Sequence, residues 1–202
     1  MTLRFITMIA LIIAGLTGAA AAQTDVSLGG IIQSEDELPE NTKVAVFQVD
    51  PDGVWGRELV TVEPIANSFT LTLDVHDLDG IQPFRSGAIL LPGLQNEYRI
   101  SPDDAGYVLG RMNMYVDRND NGMFDRQTDS VFLGLLSLEE PIGFYNIIYV
   151  DRQATLSASD VELTLYEGWN IFTVRFPGEG SAPVYENVTN VDDAVLDVFL
   201  AE

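Results

Sequence analysis

In the segment Phe69-Thr70-Leu71-Thr72-Leu73-Asp74-Val75, every odd position is apolar and every even position polar. Side chains of an extended chain alternate between two faces, so this period of two reads as a half-buried strand. Val44-Ala45-Val46-Phe47-Gln48-Val49 is a more fully apolar, β-branched run, and Asp50-Pro51-Asp52-Gly53 after it has the residues of a turn. Leu59-Val60-Thr61-Val62 resumes a strand that Pro64 closes. Further strands are predicted near 26–32, 111–116, 145–150, 161–166, 170–176 and 194–200. Helical periodicity is weak, with one short helical turn expected over 154–160. Many short strands with frequent turns predict an all-β chain, a β-sandwich of antiparallel strands or a barrel. Pro92-Gly93 marks the expected division into two packed β parts, 23–91 and 94–202.

One strand pairing can be set out residue by residue. If Glu167-Gly168 is a two-residue hairpin loop, Leu163 faces Phe172 and Val161 faces Val174 on one side of the sheet. Tyr166 then faces Trp169 and Thr164 faces Ile171 on the other, with Asp160 opposite Arg175. Apolar partners match apolar partners, so a hairpin is expected here.

The first residues predict an exported protein. Arg4 precedes an apolar run from Phe5 to Leu16, and small residues end in Ala20-Ala21-Ala22. This is the charged start, apolar stretch and small-residue cleavage site of a signal peptide over residues 1–22. The apolar run is too short to span a bilayer, which takes about 20 residues, so no membrane insertion is expected. The expected location is the periplasm, the cell surface or the medium. The chain has no cysteine, which excludes disulfides, cysteine-bound zinc and thiol catalysis. It carries 10 Lys+Arg against 31 Asp+Glu, a formal net charge of −21. Nucleic acid is therefore not an expected partner, because phosphate binding needs clustered positive charge. A cell-surface protein or a polysaccharide is the expected kind of partner.

Gly30-Ile31-Ile32, the β-rich run after it, Asp50-Pro51-Asp52-Gly53 and Asn67-Ser68-Phe69-Thr70 resemble the transthyretin-like modules of exported bacterial proteins. The resemblance covers about a third of the chain and implies a sandwich used for structure or binding.

The segment with chemistry in it runs from Asp117 to Asp129, DRNDNGMFDRQTD. Oxygen-bearing side chains stand at loop positions 1, 3, 5 and 9, and glycine at 6 permits a sharp bend. Calcium takes six to eight oxygen ligands in flexible geometry, and alternate residues of a tight loop can turn their oxygens inward. The segment resembles the calcium loops of EF-hand-like and dockerin-type proteins. That resemblance implies ligands from Asp117, Asn119 and Asn121, from the Met123 carbonyl, and from Asp125 directly or through water. Two departures matter. Position 12 is Thr128, so Asp129 would substitute one residue late, and the flank Arg111–Val116 alternates as a strand does. The competing reading is a polar turn, since Asn121-Gly122 is a turn signal and Asp and Asn cap turns without metal. A bound ion would hold the loop in shape.

Other candidates are weaker. His76, the only histidine, lies in the acidic stretch Asp74–Gly80 at the end of a strand and reads as a solvated turn residue. No nucleophile-elbow motif accompanies it, and one histidine cannot make a histidine-rich metal site. Tyr166 and Trp169, paired in the expected hairpin, would form a sugar-binding platform if their face is open and core if it is covered. Asn187-Val188-Thr189 matches a glycosylation sequon, a short and unspecific motif. No catalytic set emerges. The expected function is a non-enzymatic exported β protein with a structural calcium loop. Its rivals are a carbohydrate-binding module and a hydrolase with a carboxylate pair.

Overall fold

The computed structural model describes residues 25–34, 37–50, 54–74, 78–84, 99–138, 142–158, 161–178, 181–188 and 190–199. The expected signal peptide over 1–22, His76 and Pro92-Gly93 lie outside the described residues. In chain order the strands are β1 Val26–Gln33, β2 Thr42–Val49, β3 Trp55–Val62, β4 Ser68–Leu73, β5 Gln82–Pro83, β6 Arg99–Ser101 and β7 Gly106–Val116. They continue as β8 Ser130–Leu138, β9 Gly143–Val150, β10 Ala154–Ala158, β11 Val161–Leu165, β12 Gly168–Arg175, β13 Val184–Val188 and β14 Asn190–Phe199. The all-β expectation holds: no helix occurs among the described residues.

Eleven strands form one sheet nearly closed into a barrel, and β6, β10 and β11 form a second, small sheet. One path round the large sheet runs β3-β2-β7-β8-β14-β1-β4. Its two end strands, β3 and β4, follow each other in sequence and meet at a turn bridged by Ile65 and Ser68. Along β7, the first half pairs with β9 and the last three residues with β8. The buried Asn113 lies between these stretches, and its side-chain oxygen accepts the Gly134 N–H at 3.2 Å. Most pairings are antiparallel, but β1 and β14 run parallel. Gly30 makes that approach possible, because a Cβ there would sit 2.0 Å from the Ala194 carbonyl oxygen. Strands from both sides of the expected division share this sheet, through β2 with β7 and β1 with β14.

The alternation predicted over 69–75 and 111–116 accounts for part of the core. Val26 and Leu28 of β1, Val44 and Val46 of β2, Phe69, Leu71 and Leu73 of β4, and Met112 and Met114 of β7 point inward. Tyr145 and Ile147 of β9, Trp169 and Ile171 of β12, and Ala194 and Leu196 of β14 join them in one cluster. The outward face of the same strands is covered twice. The small sheet lays Leu156, Leu163 and Leu165 over Tyr107, Ile148, Phe172 and Val174. Farther along β7, Phe124 of the 117–129 loop closes over Ala45, Phe47 and Tyr115.

Three expectations are corrected. Residues 161–166 and 169–176 do not form a hairpin. Leu163 pairs with Leu156 of β10, while Phe172 pairs with Asn146 of β9 and Asn187 of β13. The two strands lie in different sheets and meet face to face, so Leu163 and Phe172 do share a core, though not as a cross-strand pair. Gly168 takes the positive φ of 98° that its turn requires, and Asn170 caps the turn through the Tyr166 N–H and carbonyl. Residues 154–158 are strand β10 and not a helical turn. Strand β8, SVFLGLLSL, lies outside the predicted strands, because its apolar run has no period of two.

Candidate functional site

The loop 117–129 connects β7 to β8, whose ends pair through Val116 and Ser130. Its ends are therefore held together by the ladder, and the thirteen residues between must turn back on themselves. Asp117 organises that turn. Its side chain is fully buried, its N–H donates to the Asn41 carbonyl at 3.1 Å, and its two carboxylate oxygens accept the N–H groups of Asn121 at 3.2 Å and Gly122 at 2.7 Å. Asn119 Oδ1 also accepts the Asn121 N–H, at 3.2 Å, and Asn121 Oδ1 accepts the Met123 N–H at 2.9 Å. Short side chains bonding the backbone two residues on are what make Asp and Asn turn formers. The bend needs left-handed backbone at Asp120, φ 55°, and Gly122, φ 75°; the second is the glycine at position 6.

The second half closes on Asp129. Its Oδ1 accepts the Arg118 N–H at 3.0 Å and its Oδ2 the Asp125 N–H at 2.7 Å, so one carboxylate ties the start of the loop to its far side. Asp125 Oδ1 accepts the Gln127 N–H at 3.0 Å. Met123 is exposed, with its side chain in solvent.

Sequence reasoning missed Glu58, which reaches the loop from β3. Its Oε2 accepts the Phe124 N–H at 3.0 Å. By simple alternation with Val60 and Val62, Glu58 would point into the barrel. A register shift against β2, where Val46 pairs with Val60 but Phe47 with Glu58, leaves Leu59 as an extra residue and turns Glu58 outward. Bulges re-aim side chains in this way. Burial pushes the Glu58 carboxyl above its ordinary range, and the charges of Asp117 and Asp129 add to the rise. The Phe124 N–H and the Tyr115 hydroxyl act in the other direction. Tyr115 is itself raised by burial.

Among the described residues no three His, Cys, Asp or Glu side chains stand where they could together hold a metal ion. The side-chain oxygens of Asp117, Asn119, Asn121, Asp125 and Asp129 accept from the loop's own N–H groups. The donor set is nonetheless all oxygen, two amides and three carboxylates with Glu58 beside them, and so suits a hard cation such as calcium and not zinc. Each of these oxygens has two lone pairs, and one N–H uses one of them. Asp117, buried, and Asn119 and Asn121, exposed, therefore keep acceptor capacity left over.

The structure separates the two aromatic candidates. Trp169 is fully buried in the barrel core, edge-on to Tyr149, while Tyr166 is 43% exposed at the turn before β12. They form no shared open platform, because the chain passes from one sheet to the other between them. A shallow depression between Asn41, Thr42, Glu63 and Asn67 carries one acid, Glu63, which is ion-paired with the nearly buried Lys43. It offers no carboxylate pair. Asn187 of the sequon donates its side-chain amide to the Thr164 carbonyl, linking β13 to β11. Among the described residues no helix is long and apolar enough to cross a membrane. Comparison of the chain with protein-family models, curated proteins and solved structures finds no match.

Proposed function

We propose that this is an exported structural or binding protein of the cell surface or periplasm, in which the 117–129 loop takes one calcium ion that stabilises the fold. One observation supports the reading: the buried Asp117 carboxylate gathers the Asn121 and Gly122 amides around itself, so that Asp117, Asn119 and Asn121 share one tight oxygen-rich turn. Asp117, Asn119, Asn121 and the Met123 carbonyl are the ligands, with Asp125 and Asp129 completing the set. Calcium neutralises the acids that crowd this end of the sheet. The site binds in the range of extracellular modules, with a Kd on the order of 10⁻⁴–10⁻³ M. The signal peptide supports export, and the calcium available outside the cell suits so weak a site.

The test is a thermal melt of the purified protein in millimolar calcium and again in excess chelator. A ligand that binds only the folded form raises the midpoint. A midpoint unmoved by calcium, with no heat of binding by calorimetry, would end the proposal.

A further inference from the structure

The 117–129 loop is attached to more than its own ends, and all of its outside attachments to β3 fall in the first half of that strand. The Phe124 ring meets Phe47 and Tyr115 edge-on, each at 5.3 Å between centroids, and Trp55 of β3 stacks on the same Phe47 at 5.3 Å. The Phe124 N–H is held by Glu58 of β3, and the Arg126 guanidinium donates to the Trp55 carbonyl. β3 is an end strand of the barrel sheet: among the described residues its ladder partner is β2 alone. That ladder is irregular, with register shifts on both sides of Phe47, at the level where the loop grips it. An end strand with one broken ladder is the element most ready to open locally.

We infer that the loop is a clasp that holds β3 against the barrel, with Phe124 as its tooth. The loop crosses from the β7–β8 corner to the far side of β2 and covers the stretch where the β2–β3 ladder is weakest. The clasp rests on these contacts. That a calcium ion tightens it rests on the proposed function: an ion fixing Asp117 through Asp125 would fix Phe124 and Arg126, which lie within or beside that span.

Hydrogen exchange read peptide by peptide tests this in the purified protein. In chelator, Phe124→Ala should speed exchange of the β3 amides by about tenfold while β12 amides change less than about twofold. Arg126→Ala, which leaves the aromatic cluster intact, should act in the same direction by about threefold and carries the test if Phe124→Ala does not fold. In the wild type, calcium should slow exchange at β3, and Phe124→Ala should abolish that slowing. Equal acceleration at β3 and β12, or none at either, would overturn the clasp. Calcium raising the melting temperature without touching β3 exchange would overturn the tightening by calcium while leaving the calcium site standing. Local acceleration in the variants with no calcium effect on any property would keep the clasp and end the calcium proposal.

Discussion

The outward face of the large sheet has two lids made in opposite ways. Over Tyr107, Ile148, Phe172 and Val174 lies a three-stranded sheet of apolar side chains. Over Phe47 and Tyr115 lies a polar loop that contributes one ring and is otherwise held by hydrogen bonds, to carboxylates and to the Asn41 and Trp55 carbonyls. Burial of apolar surface is non-directional and depends neither on the protonation of a side chain nor on a bound metal ion. Hydrogen bonds to crowded carboxylates are directional and respond to both. The first lid is built to stay shut, and the second is where pH and ions can be felt.

The largest effect that would sharpen this contrast comes from the apolar lid. Phe172→Ala should cost about 3–5 kcal/mol, since Phe172 is almost wholly buried between the sheets. Denaturant unfolding should show that loss equally with calcium and with chelator. A calcium-dependent loss at Phe172 would break the comparison.

The polar lid should behave otherwise. Saturating it at roughly 10 mM calcium should add about 1.4–2.7 kcal/mol for the affinity proposed, a rise of several degrees in melting temperature. Asp117→Asn should remove that gain. It should also cost about 1–3 kcal/mol in chelator, because an amide NH₂ cannot accept the second backbone N–H. If Asp117→Asn still gains stability from calcium, the ion sits elsewhere.

A smaller effect follows from Glu58. Its carboxyl is raised above the usual range in the folded protein, so the fold favours the neutral form. Stability from this group is therefore complete below the ordinary carboxylate range and lost as pH rises through the raised value. Glu58→Gln copies the neutral form and still accepts the Phe124 N–H. In chelator it should match the wild type near pH 4 and exceed it near pH 7 by less than about 1 kcal/mol, read from melts across that range. The same difference at both pH values would show that charge at Glu58 is irrelevant to the lid. Smallest of all, Tyr166→Ala should change stability by less than about 0.5 kcal/mol, since its ring stands at a turn and supports neither lid. A larger loss, or altered retention on a polysaccharide column, would give Tyr166 a role that its position does not.

The same contrast divides what was legible in the residues. Period-two alternation sets which side chains face inward, so the inner residues of β4 and of the second half of β7 could be read directly. The loop could be read because its organising bonds within 117–129 span at most eleven positions, and the Asp, Asn and Gly that make them are adjacent in the text. Partner choice could not. The pairing of Leu163 with Phe172 satisfied every local rule for a hairpin, yet each strand found a better partner elsewhere. Alternation reports that a face is buried and not against what. The bulge that turns Glu58 outward has no local signature either, since it exists only as a mismatch of register with β2.

By itself, then, the order of residues determined the all-β class, the alternating strands, turn chemistry and the oxygen-rich loop, because those depend on neighbours a few positions apart, while β8 and β10 escaped it. Tertiary structure alone decided the parallel closure of β1 on β14, the passage of the chain between two sheets at Gly168, and the meeting of Glu58 with Phe124. Those depend on which distant segments bury each other best, and that is a property of the whole sheet.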